Sequence, residues 1–221
     1  MCVILYGTGT GRGEAELLTL KGVRLIRSFD MIAVPVSDST LKEPCIWEEG
    51  MPYLDNCTAY QIVLPEVPEI RKKPVLCLPM PMMKEKEELK RIHDAGAKKV
   101  EEYLDEGMNI AFLTLGDPSI YSTYLYIHKR VQKDGYQAVI IPGIPSFCAA
   151  AAALNLGLAE NKEEIHILPA SYGIEEGLKL SGTKILMKTG KKMPYVKETV
   201  KASNDRFWMV ENCGMENEKI Y

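Results

Sequence analysis

Short apolar segments of strand type alternate along the chain with longer segments in which apolar residues recur every three or four positions. The clearest longer segment lies between Lys84 and Gly107, where Lys and Glu fill the other faces, so it predicts an amphipathic helix that stops at the glycine. The strand-type runs are CVILYG (2–7), MIAVPVS (31–37), PVLCLPM (74–80), NIAFLTLG (109–116), QAVIIPG (137–143), EIHILPAS (164–171), TKILMKTG (183–190) and RFWMVENC (206–213). This alternation predicts α/β layers with largely parallel strand pairing.

Length and charge narrow the class of protein. The chain has 221 residues and 46% hydrophobic content, which suits one large domain or two small ones. The net charge of −3 provides no overall positive field for nucleic acid. The N-terminal apolar run lacks a basic flank and is far shorter than a signal or transmembrane segment. We therefore expect a cytoplasmic protein that binds neither nucleic acid nor membrane.

Cysteine and histidine are scattered rather than clustered. No CxxC pair occurs, and none of the three histidines stands at metal-ligand spacing from a cysteine or carboxylate, so we expect reduced thiols and no protein-bound metal. The residues concerned are Cys2, Cys45, Cys57, Cys77, Cys148, Cys213, His93, His128 and His166.

A glycine-rich turn, GTGTGRG (7–13, the first loop), follows the first strand-type run. The G-x-G-x-x-G spacing of a dinucleotide site fails, because a reading from Gly7 meets Arg12 and one from Gly9 meets Glu14. The Gly-Lys pair at 190–191 likewise lacks the other residues of a phosphate-binding P-loop. A tight turn into the helix that carries LLTLKGVRLIRSF explains the glycines equally well.

Two further turns follow strand-type runs: GDPSIYST (116–123, the second loop) and PGIPS (142–146, the third loop). Asp117 and Pro118 suit the N-cap and first position of a helix, so the second loop has a purely structural interpretation. The alanines at 149–153 form either a packing face or a thin helix that another body can approach. Ligands of α/β proteins nevertheless bind at the carboxyl ends of strands, and three such loops at one edge favour a binding site.

Together these loops resemble those of the S-adenosylmethionine-dependent tetrapyrrole methylases. The family's GxGPGD-type first loop and LLTLKA are matched by GTGTGRGEAELLTLKG, its GDPxxY loop by GDPSIYST, and its PGI-type third loop by PGIPSFCAAAA. The resemblance covers most of the chain in the right order and is weakest at 38–73. TLGDPSIYSTY, PSFCAAAA and Leu78-Pro79-Met80 resemble the branch that methylates precorrin-2 at carbon 20. The resemblance to this branch implies a corrin-pathway C-methyltransferase whose substrate is precorrin-2, with or without cobalt.

The resemblance also implies an architecture and a cofactor site. We expect two α/β domains, 1–118 and 119–221, with S-adenosylmethionine bound in the cleft between them and S-adenosylhomocysteine left as product. Backbone groups of the second loop and the residue before it would contact the methionine part, the third loop would line the same pocket, and the end of KILMKT would face the adenosine. The residues implied in cofactor binding are Thr10, Leu115, Gly116, Asp117, Ile120, Pro145, Ser146, Met187 and Thr189.

Methyl transfer needs in-line positioning of the substrate carbon against the methyl group, followed by loss of a proton from that carbon. Asp117 is the candidate base and Tyr121 a second polar group, although a capping role for Asp117 would turn its carboxylate to backbone N–H groups. The substrate's eight carboxylates call for cations, for which Arg12, Lys191 and Lys192 are candidates. A solvated surface explains the two lysines equally well.

The chain departs from the family pattern at the first loop. Thr10 stands where the family has proline, Arg12 where it has aspartate, and two extra residues precede LLTL. Relatives commonly continue beyond Tyr221, so we expect a shortened C-terminal domain. We expect a homodimer, supported only by the Met80, Met82 and Met83 cluster, which suits a core as well.

Two other functions remain open. A family member could methylate another tetrapyrrole carbon or, as in the diphthamide branch, a protein side chain. A non-catalytic nucleotide-binding domain would also carry Gly-rich turns, but it would not bind S-adenosylhomocysteine.

Overall fold

The computed structural model describes residues 3–203 and 205–221. The chain divides into two compact units, Met1–Ser146 and Phe147–Tyr221. Both mix helices with strands, as the alternating pattern predicts. Cys2, which begins the first predicted strand, lies outside the described residues.

A six-stranded sheet forms the first unit, in the order β3-β4-β2-β5-β1-β6. Neighbouring strands are parallel except for the short edge strand β3, which runs antiparallel to β4. Every residue of the central strand β5 is buried, which explains its unbroken apolar run. The strands are β1 (Ile4–Gly9), β2 (Met31–Val36), β3 (Cys45–Ile46), β4 (Val75–Pro79), β5 (Ile110–Thr114) and β6 (Gln137–Ile141).

Helices cover this sheet and complete two hydrophobic cores. They are α1 (Leu20–Ser28), α2 (Thr58–Val63), α3 (Lys86–Asp105) and α4 (Tyr124–Lys133), with 3₁₀ turns at Ala15–Leu17 and Pro68–Lys72. Strand alternation divides the cores: Ile32 and Val34 pack with α1 and α2, whereas Ala33 packs with α3 and α4. The predicted helix stop is confirmed, since Gly107 follows α3 with a φ of +88°.

The boundary between the units differs from the predicted one at 118/119 and falls at 146/147. Residues 119–146 belong to the first unit because β6 pairs with β1 and α4 packs on α3. The irregular stretch 38–73 is likewise part of this unit, where α2 and the turn at Pro68–Lys72 bury Tyr60, Val63 and Ile70 in the core.

The second unit is smaller, with a parallel pair of strands and an antiparallel pair. Its small core contains Ala170, Ile174, Val196 and Val200. The run at 206–213 is a strand only at its Val210–Glu211 portion, and Phe207 and Trp208 are about half exposed. The elements are α5 (Ser146–Ala153), which begins at the last residue of the first unit, β7 (Ile165–Pro169), α6 (Glu175–Leu178), β8 (Thr183–Met187), α7 (Met193–Lys201), β9 (Val210–Glu211) and β10 (Lys219–Ile220), with a 3₁₀ turn at Gly190–Lys192.

Among the described residues, the cysteines and methionines singled out in the sequence lie in the strands and the core or at the surface. Cys45 lies opposite Cys77 across the antiparallel β3–β4 pair, and burial raises the pKa of Cys77 to about 12, so that group is a thiol at neutral pH. Met80 is buried in the core, whereas Met82 is 97% exposed. No helix among the described residues is long and apolar enough to cross a bilayer.

Candidate active site

The three predicted loops meet at one edge of the first unit's sheet. They follow β1, β5 and β6, which are consecutive parallel neighbours in the order β5-β1-β6. Parallel strands end at the same edge, so the chain leaves all three strands side by side. This is the edge at which α/β sheets bind ligands.

One glycine from each loop region brings the three backbones into direct contact. A Cβ atom added to Gly143 would lie 2.2 Å from the carbonyl oxygen of Gly116, and one added to Gly9 would lie 2.6 Å from the amide nitrogen of Gly143. Both distances are far inside van der Waals contact. Glycine is therefore required at Gly9 and Gly143 by the close approach of neighbouring backbones.

Hydrogen bonds join the first loop to the second. The Gly116 amide donates to the Gly11 carbonyl at 2.7 Å, and the Thr10 amide donates to the Thr114 carbonyl at 2.9 Å. The Thr10 hydroxyl also donates to Thr114 O at 3.2 Å and is fully buried. The Thr10 side chain thus fixes the first loop to β5, where proline, the residue usual in the family, has no hydroxyl to offer.

Asp117 joins the second loop to the third. Its Oδ2 accepts a hydrogen bond from the Gly143 amide at 3.0 Å, and its Oδ1 accepts one from the Ser119 amide at 2.8 Å. The Ser119 hydroxyl also donates to Oδ1. The carboxylate is buried, and both of its oxygens already accept bonds.

The interpretation of Asp117 as a helix N-cap is wrong. Helix α4 begins only at Tyr124, and the residues between Asp117 and Thr123 form turns. The hydrogen bond from the Ser119 amide makes Asp117 the first residue of a local side-chain turn instead. The end of the second loop is fixed by Ser122, whose Oγ accepts from the Tyr124 amide at 3.1 Å and lies 2.9 Å from the Thr114 hydroxyl.

Gly116 faces the third loop. A Cβ atom added to it would lie 3.7 Å from the amide nitrogen of Ser146 and 3.8 Å from the Cα atom of Pro145. These distances would leave room for a methyl group, but the φ of Gly116 is +69°, a backbone conformation that favours glycine. The structure therefore brings together three of the residues proposed for cofactor binding.

Two side chains near these contacts are partly open to solvent. Leu115 is 36% exposed and Tyr121 is 40% exposed, although β5 just before them is fully buried. Tyr121 has a φ of +47°, an uncommon conformation for a residue with a side chain. Ile120 is also partly exposed, and Arg12 is partly exposed within the first loop.

Tyr124 packs against Gly7 of β1 and hydrogen-bonds to β6, a role that the sequence did not indicate. Its ring fills the space left by Gly7, where an added Cβ atom would lie 2.1 Å away. The hydroxyl donates to the Val139 carbonyl at 3.1 Å and lies 3.0 Å from Nδ1 of His128. Burial raises the pKa of Tyr124 and lowers that of His128, so both are neutral structural groups at pH 7. Tyr124 lies far from Gly7 in the sequence, so no local pattern links the two residues.

The other predicted site residues belong to the second unit. Met187 ends β8, and Thr189 precedes the turn that contains Lys191 and Lys192. The ammonium of Lys192 lies 6.0 Å from the centroid of the Tyr195 ring, a weak cation–π distance. Both lysines are exposed, as a solvated surface would also have them.

The remaining histidines make structural contacts. His93 is buried and stacks on Tyr126 with ring centroids 4.4 Å apart, and His166 lies 3.4 Å from a carboxylate oxygen of Glu164. Within residues 3–203 and 205–221, no group of three or more His, Cys, Asp or Glu side chains could hold a metal ion.

Comparison with known proteins gives a consistent result. A family model described as Tetrapyrrole (Corrin/Porphyrin) Methylases matches residues 4–221. A probable cobalt-precorrin-2 C(20)-methyltransferase of Methanocaldococcus jannaschii is 34% identical over 98% of this chain and 85% of its own length. A precorrin-2 C(20)-methyltransferase of a Sinorhizobium species is 27% identical over 96% of this chain and 85% of its own.

Solved structures show the same fold. The uroporphyrin-III C-methyl transferase of Thermus thermophilus, solved in complex with S-adenosylhomocysteine, superposes with a TM-score of 0.65 at 16% identity, covering 98% of this chain and 86% of that one. At this identity the likeness shows the fold alone.

Proposed function

Because the chain belongs to the tetrapyrrole (corrin/porphyrin) methylases, we propose that it transfers a methyl group from S-adenosylmethionine to carbon 20 of precorrin-2 or cobalt-precorrin-2 in cobalamin biosynthesis. The observation that carries the proposal is the near full-length similarity to the archaeal relative of that name, at 34% identity. The relative from Sinorhizobium supports the same carbon and is named for the cobalt-free substrate.

The first unit offers a suitable place for the methyl donor. The amino-acid end of S-adenosylmethionine carries a carboxylate and an ammonium, which need hydrogen-bond donors and acceptors respectively. Gly116 lies beside Pro145 and Ser146, so the backbones of two loops lie close together. We propose that Leu115, Gly116 and Ile120 hold the methionine part through their backbone, with Pro145 and Ser146 against it. The contacts predicted for Met187 and Thr189 with the adenosine stay a prediction.

The reaction demands orientation more than covalent help from the protein. The sulfonium supplies an electrophilic methyl group: the sulfur–carbon bond breaks with its electrons going to sulfur, and the new bond forms to the meso carbon. The task of the chain is to hold the two atoms in line, which can contribute roughly 7 to 11 kcal/mol to lowering the barrier. The carbon then loses its proton to solvent water, and Tyr121, partly exposed on the second loop, is a polar group that could hydrogen-bond that water.

Charge complementarity supports a tetrapyrrole substrate near the first loop. Arg12 lies between Gly11 and Gly13, both with positive φ, so its side chain projects from a tight turn next to the second loop. A guanidinium pairs well with carboxylates, of which precorrin-2 carries eight. We propose Arg12 as a substrate contact and retain Lys191 and Lys192 as further candidates.

The test starts with calorimetric titration of the purified protein with S-adenosylhomocysteine. We expect micromolar binding, on the order of 8 kcal/mol. Incubation with S-adenosylmethionine and precorrin-2, with and without cobalt, should then add one methyl group at carbon 20. Methylation at another carbon would support a different branch of the family, and absence of binding at two temperatures would support the non-catalytic domain.

We also propose that the enzyme is a cytoplasmic homodimer. Met82, a member of the methionine cluster, is 97% exposed and is therefore accessible to a contact between copies. Light scattering of the purified protein measures its mass directly, and a monomeric mass at micromolar concentration would contradict the dimer.

A further inference from the structure

Asp117 has the surroundings of a structural carboxylate. It is 9% exposed, and its two oxygens accept hydrogen bonds from the amides of Gly143 and Ser119. Both oxygens are thus already occupied by donors, and little of the carboxylate surface is left for a reacting group. These bonds also connect two loops that are 26 residues apart in the chain.

We infer that Asp117 is a positioning residue: its carboxylate fixes the third loop against the second and so sets the distance between Gly116 and the Pro145–Ser146 segment. It acts on the cofactor through these loops and does not remove the proton from the methylated carbon. The inference rests on the proposed function, since the cofactor is the ligand of the loops that it positions.

The chemistry of the site distinguishes aspartate from its amide. Among the described residues, the Gly143 amide, the Ser119 amide and the Ser119 hydroxyl bond to Asp117, and each of them is a donor. Asparagine has one oxygen and one NH₂ group, so one of the two oxygen positions would place a donor against a backbone donor. Asp117→Asn therefore breaks either the local turn or the Gly143 bond, although it hardly changes volume.

Asp117→Ser separates these two bonds. A serine hydroxyl can still accept from the amide two residues on, which retains the local turn, but it is too short to reach Gly143. It also introduces no donor facing a donor, so it provides a second variant if Asp117→Asn unfolds at the assay temperature.

Asp30 offers a matched control at the opposite edge of the same sheet. Its Oδ2 accepts from the amide of Asn109 at 2.8 Å, which joins the segment before β2 to the segment before β5. Asp30→Asn makes the same chemical change to another carboxylate that bonds a distant backbone amide. It lies at the amino ends of the strands, away from the three loops.

The experiment measures the affinity for S-adenosylhomocysteine, the KM for S-adenosylmethionine, kcat with its pH profile, and hydrogen exchange of a peptide covering 142–146. For Asp117→Asn and Asp117→Ser we expect at least a tenfold loss of affinity, roughly as for a lost charge-assisted bond, a matching rise in KM, and faster exchange at 142–146. The value of kcat at saturating cofactor and the shape of its pH profile should match the wild type. Asp30→Asn should leave all of these unchanged.

The opposite pattern would overturn the inference. If Asp117 were the base, its variants would bind S-adenosylhomocysteine normally, show unchanged exchange at 142–146, and lose kcat together with the acid limb of the pH profile. Failure of the proposed function itself has a different signature, because the wild-type protein would then either not bind S-adenosylhomocysteine or methylate a position other than carbon 20.

Discussion

Replacing Gly143 by alanine tests whether close approach of the three loops creates the cofactor site. The φ of Gly143 lies outside the left-handed region, so alanine is compatible with the backbone and only the added methyl group matters. That methyl carbon would lie 2.2 Å from the Gly116 carbonyl oxygen and 2.8 Å from the Cα atom of Gly9. Both neighbours are backbone atoms, which cannot rotate away as a side chain can.

The magnitude follows from these distances. A carbon–oxygen contact is comfortable only at about 3.3 Å or more, so the second and third loops must separate by about 1 Å. Overpacking of this kind destabilises a fold by roughly 1 to 3 kcal/mol. A misplacement of about 1 Å at a reacting site can reduce the rate about 100-fold, and we expect a loss of that order in kcat/KM for S-adenosylmethionine. The affinity for S-adenosylhomocysteine should fall in parallel.

The assay is calorimetric titration with S-adenosylhomocysteine, alongside urea unfolding to show that the variant is folded. Gly157→Ala is the matched control, because an added Cβ atom there meets nothing within 4 Å and its φ is not in the left-handed region. This control should bind normally and gain up to about 1 kcal/mol of stability from the reduced entropy of the unfolded chain. A folded Gly143→Ala protein with wild-type affinity would refute the argument that loop contact shapes the site.

Three further predictions follow from contacts in and around the site. Tyr124→Phe leaves the Val139 carbonyl without its hydroxyl partner and should lower the free energy of unfolding in urea by about 1 kcal/mol, whereas no change would show that the bond is dispensable. Burial lowers the pKa of His93 below its usual 6.5, so the stability contributed by the neutral ring is present above pH 6.5 and is lost as the pH falls through the folded-state pKa. His93→Gln should therefore flatten the pH dependence of the free energy of unfolding on the acid side. An unaltered slope would contradict this. Lys192→Ala should raise the KM for the tetrapyrrole and leave S-adenosylhomocysteine affinity unchanged, whereas equal loss of both would indicate misfolding.

Local periodicity determined most of the secondary structure. The apolar run at 31–37 becomes β2 with Ile32 and Ala33 in different cores, and the amphipathic segment before Gly107 becomes α3, within two residues of each predicted end. These features were readable because the side-chain repeat of a strand or helix is a property of consecutive residues. The order of the loop motifs likewise sufficed for the family, which the comparisons confirm.

Which strands pair, and which groups hydrogen-bond to one another, was decided only by the tertiary structure. The run 137–143 could be recognised as a strand from its sequence. Its pairing with β1, however, joins residues far apart in the chain, such as Ile4 and Gln137. This pairing places residues 119–146 in the first unit. The Gly-Asp-Pro sequence suggested a helix cap, whereas the Asp117 carboxylate bonds to the amide of Gly143. Every residue except proline carries the same backbone N–H, so no side-chain pattern marks which amide will meet a given carboxylate. That choice is made when parallel pairing brings three strand ends to one edge.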